Sequence, residues 1–131
     1  MSNDRTVLFV CLHGAGMSRM AAAYFNRAAP PGWRAVSAGV EPDGTLSATS
    51  ATLLAGTGAE EFLDHAPPRS IDAVPEPRHM VALRNPAVRY ELESTERWDL
   101  SSTAGIPLRD ELRGRAEALA RTITEQQGEG P

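Results

Sequence analysis

A short, uninterrupted apolar run followed by a glycine-containing loop constrains this chain more than any other feature. Residues 5–11, RTVLFVC, have the length of a strand, and residues 12–17, LHGAGM, carry two glycines. An apolar run of this length predicts a strand that is buried on both faces, as in a parallel sheet. Beyond it, apolar residues recur at helical spacing, namely Met20, Tyr24 and Phe25. The pattern predicts a strand–loop–helix unit with Cys11 at the carboxyl end of the strand.

The remaining elements continue this alternation. The sequence predicts strands at 33–38, 79–84 and 97–100, and helices at 46–56 and 107–124. The last helix has one apolar stripe, formed by Leu108, Leu112, Ala116, Leu119 and Ile123. Residues 59–78 are rich in proline and predict a loop with at most one short helix. The order predicts a single α/β domain over residues 1–131, with three layers in which helices flank a four-stranded parallel sheet. Residues 125–131 are expected to form a frayed tail.

Composition narrows the class of function. The chain has a net charge of −4, and its 13 basic residues are all arginines scattered along the sequence. A nucleic-acid partner is therefore not expected, and the absence of lysine excludes Schiff-base chemistry. No apolar run approaches the roughly 20 residues that cross a bilayer, so no membrane partner is expected either.

Cys11 is the single cysteine of the chain. A disulfide within the chain and a cysteine-based zinc cluster are therefore excluded. The three histidines show no metal-ligand spacing, so neither a metal nor another cofactor is expected. The first residues lack the order of a signal peptide, and a reducing, cytoplasmic location is the expectation.

The segment VLFVCLHGAGMSRMAAA, residues 7–23, resembles the signature of the low-molecular-weight protein tyrosine phosphatases and their arsenate reductase relatives. That signature is an apolar strand, a nucleophilic cysteine, five loop residues, arginine, serine and a helix containing Met-Ala. SAGVEP at 37–42 and RWDL at 97–100 resemble the second strand of the family and the segment before its general-acid loop. The resemblance extends over essentially the whole chain and implies the fold of this family.

The resemblance also implies roles for individual residues. Cys11 corresponds to the nucleophile, and Ser18 to the hydroxyl that hydrogen-bonds its thiolate. The phosphate-binding loop maps onto the residues expected to bind substrate here, which are Leu12, Gly14, Ala15, Gly16 and Met17. Ser18 is alternatively expected to cap the following helix. The position of the family's general-acid aspartate is taken by Ser102, which can hydrogen-bond a ligand but is not a strong acid at neutral pH.

Three departures from the signature argue against the family's phosphatase reaction. Met17 stands where the family has arginine, Ser102 where it has aspartate, and Gly14 where it commonly has asparagine. Losing an electrostatic group of this kind costs ~10²–10³ in rate, and losing the general acid costs roughly 10²–10⁴. We therefore predict that the protein is not a competent tyrosine phosphatase. Thioredoxin-coupled arsenate reduction is disfavoured because no resolving cysteine is present, although an external thiol would remove that need.

Several residues near the loop have two interpretations. Cys11 is either a small buried hydrophobe or, given the loop amides and helix N-terminus beside it, a reactive thiolate. His13 either transfers a proton near the sulfur or points to solvent. Met17 either fills the mouth of the loop or makes the pocket apolar. Arg19 is rotated by about 200° around the helix from the arginine position, which predicts that it faces away from the loop. Asp99 is the carboxylate nearest to the altered acid loop and is more easily read as structural.

Two classes of function remain open. The first is an enzyme repurposed for covalent thiolate catalysis on a small molecule that is not a phosphate, for example addition to a conjugated double bond followed by isomerisation, or a transfer reaction. The second is an inactive pseudophosphatase that binds an anion or a protein partner. A weak residual phosphatase or arsenate reductase activity is a third interpretation.

Overall fold

In the computed structural model, which describes residues 5–14, 16–42, 48–84 and 95–128, four strands form one sheet. They are β1 (Thr6–Cys11), β2 (Arg34–Gly39), β3 (His79–Leu83) and β4 (Thr95–Trp98). The order across the sheet is β2-β1-β3-β4, and each neighbouring pair is parallel. The prediction of an α/β domain built on a four-stranded parallel sheet is confirmed.

The described helices are α1 (Met17–Ala28), α2 (Ala48–Leu54) and α3 (Gly105–Gly128), together with short 3₁₀ helices at Glu60–Phe62 and Ile71–Ala73. The predicted loop at 59–78 thus contains two short helices, one more than expected. Helix α3 is longer than the predicted 107–124 at both ends. Pro107 lies in its first turn, where a missing N–H is tolerated. Residues 125–128 are helical rather than frayed, and 129–131 lie outside the described residues.

Alternate side chains of β1 enter two apolar clusters on opposite faces of the sheet. The larger cluster lies against α1 and α3 and includes the predicted stripes of both helices. Within it, Phe9 packs edge-to-face against Phe25 of α1 and Trp98 of β4, with ring centroids 6.1 Å and 5.5 Å away. The smaller cluster joins Leu8 of β1 to Ile71 of the second 3₁₀ helix. Burial on both faces explains why β1 reads as a continuous apolar run.

Candidate active site

Cys11 is the last residue of β1 and lies at the carboxyl edge of the sheet. β2 and β3 flank β1 on opposite sides, so the strand order reverses next to this residue. Ligands of open parallel sheets bind at such a position, outside the carboxyl ends of the strands. Cys11 belongs to the larger apolar cluster, so its side chain is on the face covered by α1 and α3.

The sulfur of Cys11 has two hydrogen-bond partners among the described residues. Sγ lies 3.2 Å from Ser18 Oγ, and the backbone N–H of Gly14 donates to Sγ over 3.2 Å. Cys11 is 3% exposed and Ser18 is fully buried. As a thiol, Cys11 donates to the Ser18 oxygen; as a thiolate it accepts from the Ser18 hydroxyl. Both contacts are therefore able to stabilise a negative sulfur.

The backbone carbonyls around the sulfur are bound by the surrounding scaffold. The donors to Cys11 O, Leu12 O and Gly14 O are, in that order, Val40 N (3.1 Å), Glu41 N (2.7 Å) and Arg19 Nε (2.9 Å). A loop that holds an anion must present N–H groups to it and keep its C=O groups elsewhere. The bonding of these three carbonyls to groups outside the loop meets that requirement.

Gly14 and Gly39 allow the loop to approach the carboxyl end of β2. Gly14 has φ +67°, and a Cβ on it would lie 2.6 Å from the backbone nitrogen of Gly39. A Cβ on Gly39 would lie 2.5 Å from the carbonyl carbon of His13. Two backbones are therefore in direct contact here, and side chains at either glycine would separate them.

Helix α1 begins directly after the loop. Gly16 is its N-cap residue, its carbonyl accepts from Met20 N at 3.0 Å, and no side chain caps the helix. Ser18 therefore does not cap this helix; its hydroxyl is bonded to Cys11 instead. The first N–H groups of a helix have no partner within it, and their positive end is beside the sulfur. Ala15, also predicted to bind substrate, lies outside the described residues.

Three loop side chains differ in their surroundings. Leu12 is 45% exposed. Met17 is half-buried and packs against the larger apolar cluster, so it fills space beside the loop and also adds apolar surface. His13 is exposed, and its Nδ1 lies 3.0 Å from the carbonyl oxygen of Glu41. This hydrogen bond ties the imidazole to the segment after β2 rather than to Cys11.

The prediction that Arg19 faces away from the loop is wrong. Arg19 is 1% exposed, and its Nε donates to the carbonyl of Gly14. The rotation of about 200° around the helix describes the direction in which the residue leaves the helix axis. A long side chain, however, leans toward the N-terminal end of its helix and reaches the preceding turn. The guanidinium lies beneath the loop, in the protein interior, and not at its mouth.

Asp64 and Arg69, in the segment between the two 3₁₀ helices, complete the surroundings of Arg19. Arg19 Nη1 donates to the backbone carbonyl of Asp64 and lies 4.0 Å from its carboxylate. Arg69 Nη2 donates to the same carboxylate at 2.7 Å. Burial would raise the pKa of Asp64, but the hydrogen bonds from Arg69 and the Ala66 amide, and the charges of both arginines, outweigh it and lower the pKa. Burial lowers the pKa of Arg19, against the attraction of Asp64 and Cys11.

Ser102 lies in the loop after β4, and its backbone is held from two sides. Its N–H donates to Glu111 Oε1 of α3 at 2.9 Å, and the N–H of Ser101 donates to Oε2 at 3.1 Å. These backbone hydrogen bonds lower the pKa of Glu111 to about 2. On the other side, Arg84 donates to the carbonyls of Ser102 and Thr103.

Asp99, before this loop, is exposed, and its carbonyl accepts from Arg115.

The residues that sequence reasoning missed all act through the backbone. Arg19, Arg84 and Glu111 bind loop carbonyls or amides, and Asp64 accepts a hydrogen bond from Arg19 through its own backbone carbonyl. None of the four belongs to a sequence-spacing pattern that would predict its partner. Gly39 carried a signal, because it follows a predicted strand and begins a turn. Arg84 has φ 59°, a strained conformation for a residue with a side chain, and no sequence rule marks it.

Among the described residues, no three His, Cys, Asp or Glu side chains are grouped so that they could hold a metal ion. Within the same residues, no helix has the length and apolar character needed to cross a membrane.

Solved structures with this fold include enzymes of two kinds. The arsenate reductase from Archaeoglobus fulgidus is 31% identical, with 88% of this chain and 98% of that chain covered and a TM-score of 0.73. A thioredoxin-dependent arsenate reductase from Corynebacterium glutamicum is 23% identical over 92% of this chain and 62% of its own, with a TM-score of 0.73. The YwlE arginine phosphatase from Geobacillus stearothermophilus is 23% identical over 97% of this chain and 98% of its own, with a TM-score of 0.70. No protein-family model matches the chain. On its identity with the Archaeoglobus enzyme over nearly the full length of both, the chain belongs to the family of low-molecular-weight protein tyrosine phosphatases and arsenate reductases.

Proposed function

We propose that the protein is an enzyme in which the Cys11 thiolate adds to an electrophilic carbon of a small molecule that is not a phosphate. The observation that carries the proposal is the pair of 3.2 Å contacts from the sulfur to the Ser18 hydroxyl and the Gly14 N–H. A sulfur that only filled space in the core would not need two polar partners, since free cysteine packs as a small hydrophobe. Two donors to the charged form favour a thiolate, which is the nucleophilic form.

The residues around the loop suit an uncharged reacting centre better than a phosphoryl group. Met17 stands at the sixth position after Cys11, where the family resemblance implies arginine, and it packs against apolar side chains. Its thioether cannot make the two parallel hydrogen bonds that a guanidinium gives a phosphoryl group. Ser102, at the position of the general acid, is held through its backbone and offers a hydroxyl instead of a carboxyl group.

Isomerisation of a conjugated double bond fits this set of groups without any co-reactant. The thiolate forms a C–S bond to the β-carbon, and the displaced π electrons move to the conjugated carbonyl as an enolate. The former double bond is then single and rotates. Return of the electrons reforms the double bond, breaks the C–S bond and releases the thiolate. Acyl or alkyl transfer would use the same nucleophile: the sulfur bonds to the carbon of the transferred group as the bond from that carbon to the donor's leaving group breaks, and the leaving group departs with the electron pair.

The second candidate function is binding without turnover, by an inactive pseudophosphatase with an anion or a protein as partner. It is favoured by the 3% exposure of Cys11 and by the scaffold bonds to the loop carbonyls, which leave loop amides for an anion. A weak residual phosphatase or arsenate reductase would use the same loop. In each case the location proposed for the protein is the cytoplasm.

The pH dependence of Cys11 alkylation by iodoacetamide, followed by intact mass, separates the first two functions. The chain has one cysteine, so the label reports a single site. A rate that reaches half its maximum well below the free-thiol value of ~8.5 would support the enzyme. A midpoint at or above that value, or a folded protein that does not react, would contradict the enzyme and support the binding module.

Aryl phosphate hydrolysis tests the third interpretation. We expect no turnover at ordinary phosphatase rates, because both the arginine and the general acid of the family are missing at their positions. The control is Cys11→Ala. Turnover at ordinary rates that this variant abolishes would show that the ancestral reaction persists.

A further inference from the structure

We propose that Arg19 is a positioning residue for Cys11: it fixes the Gly14 peptide groups against the sulfur and places a buried positive charge beneath the loop. This inference rests on the proposed role of Cys11 as a nucleophile. Arg19 thereby supplies, from inside the protein, a positive charge in place of the arginine that is absent at the mouth of the loop.

Gly14 links the sulfur to the guanidinium. Its N–H donates to Cys11 Sγ at 3.2 Å, and its carbonyl accepts from Arg19 Nε at 2.9 Å. A glycine at φ +67° has no side chain to restrict its backbone, so these two hydrogen bonds set the orientation of its peptide groups. Without Arg19, the buried carbonyl of Gly14 would lose the donor described for it, and its peptide would be free to turn toward another donor.

The charge of Arg19 is only partly compensated by its ion pair. Arg19 is 1% exposed, and its described ion pair with Asp64 is 4.0 Å long. Asp64 makes a shorter ion pair, 2.7 Å, with Arg69. These three side chains carry two positive charges and one negative charge. A buried charge is costly unless it is paired, and a thiolate at Cys11 would supply the second negative charge.

The buried position of Arg19 decides what kind of role it has. One nitrogen of the guanidinium, Nη2, has no hydrogen-bond partner among the described residues. The other two are occupied by backbone carbonyls of Gly14 and Asp64. With its side chain enclosed, Arg19 does not touch a substrate. It acts on Cys11 through the Gly14 backbone and through its charge.

The test compares the pH midpoint of Cys11 ionisation in the full-length wild type and Arg19→Gln. The ultraviolet absorbance of the thiolate is the readout, because it needs no reagent to reach a buried sulfur. The charged groups around Cys11 in this comparison are Arg19 of α1, Asp64 and Arg69 of the segment after α2, and His13 of the loop. We expect the midpoint of Arg19→Gln to rise by about one pH unit or more, since an opposite charge nearby shifts ionisation by this amount. At any fixed pH, the ratio of thiolate to thiol would fall about tenfold.

Arg27→Gln is the matched control, because it removes the same charge from the last turn of the same helix. We expect it to leave the midpoint unchanged. Arg19→Lys keeps the charge but lacks the planar guanidinium group. Its midpoint should therefore lie between those of the wild type and Arg19→Gln. A folded Arg19→Gln protein with the wild-type midpoint would overturn the proposal.

Asp64→Asn keeps the test decisive if Arg19→Gln does not fold. The hydrogen bond from Arg19 Nη1 goes to the backbone carbonyl of Asp64, which the substitution retains. The three-residue cluster gains net positive charge, so the midpoint should fall; general loosening of the loop would not lower it. An unchanged or higher midpoint would contradict the proposal. The differences in midpoint between the variants and the wild type test the role of Arg19. The value of the wild-type midpoint tests the proposed function of Cys11, so the two proposals can fail separately.

Discussion

Two glycines shape this site because they have no side chain. Gly14 and Gly39 allow two backbones to meet, and the N–H that donates to the sulfur of Cys11 belongs to Gly14, one of these two residues. The resemblance to the family implies asparagine at the Gly14 position. Gly14, at φ +67°, has no side chain with which to brace the loop. The brace comes instead from Arg19, through the Gly14 carbonyl.

Gly14→Ala tests the close approach at the residue scale. The new Cβ would meet the strain of φ +67° and a contact of 2.6 Å to Gly39 N, which is backbone and cannot move away alone. Gly56→Ala is the matched control, because Gly56 has φ +80° and nothing within 4 Å of its Cβ position. We expect Gly56→Ala to cost about 1–2 kcal/mol of unfolding free energy and Gly14→Ala to cost more.

Urea denaturation measures both costs, and the alkylation rate of Cys11 shows whether the loop has moved. We expect a changed rate in Gly14→Ala only. Equal costs for the two variants, with equal alkylation rates, would mean that the loop gives way without loss and that the contact with Gly39 is unimportant.

At the scale of elements, a carboxylate on α3 organises the loop after β4. Glu111 accepts hydrogen bonds from the N–H groups of Ser101 and Ser102 and from the Ser101 hydroxyl. Arg84, directly after β3, donates to carbonyls of the same loop. The loop that contains the general acid in the family is therefore fixed here through its backbone, whatever side chain it carries.

Glu111→Gln tests how much the hydrogen bonds from Ser101 and Ser102 to Glu111 contribute to stability, through the pH dependence of the free energy of unfolding. The folded-state pKa of Glu111 is lowered from 4.5 to about 2, so the carboxylate stays charged in the folded protein while the unfolded chain takes up a proton. Its contribution to stability is complete above about pH 4.5 and is lost as the pH falls toward 2. The glutamine has one acceptor oxygen for two amides, so Glu111→Gln should be less stable at neutral pH and lose less stability on acidification.

The urea midpoint of unfolding is measured at pH 6 and pH 3 for the wild type and for Glu111→Gln, and the change between the two pH values is compared. Glu117→Gln is the control, because Glu117 is on the same helix and pairs with Arg113 at 3.2 Å on the surface. It should keep the wild-type dependence on pH. If Glu111→Gln loses as much stability on acidification as the wild type, the hydrogen bonds of Glu111 to the loop after β4 do not contribute to stability.

At the scale of the whole molecule, the site depends on one apolar cluster that joins α1 and α3 to the sheet. Cys11 is part of this cluster, as are Phe9 of β1 and Trp98 of β4. Movement of either helix would therefore reach Cys11 and the loop that follows it.

Leu112→Ala tests the contribution of this cluster to stability. Leu112 is fully buried on α3, so its truncation should leave a cavity and cost about 2–5 kcal/mol. Ile106→Ala, on the same helix but with a side chain that is 55% exposed, should change stability by less than about 0.5 kcal/mol. Urea denaturation measures both. A similar small cost for the two variants would mean that α3 is not packed as the structure has it.

The sequence by itself determined the strand–loop–helix unit, the parallel α/β architecture and the place of Cys11 at the end of β1. These features follow from local patterns, namely a doubly buried apolar run, glycine punctuation and helical spacing. The resemblance to the family placed Ser18 directly after the loop and marked Met17 and Ser102 as departures from the signature.

Only the tertiary structure decided how the loop is held. The contacts of Arg19 with Gly14 and Asp64, and of Glu111 with Ser102, join segments through backbone atoms. Every residue except proline has the same backbone N–H and C=O, so these contacts leave no residue-type pattern in the sequence. Their partners are brought together by the packing of helices on the sheet, and the reach of a long side chain defeats an argument from helical angle alone.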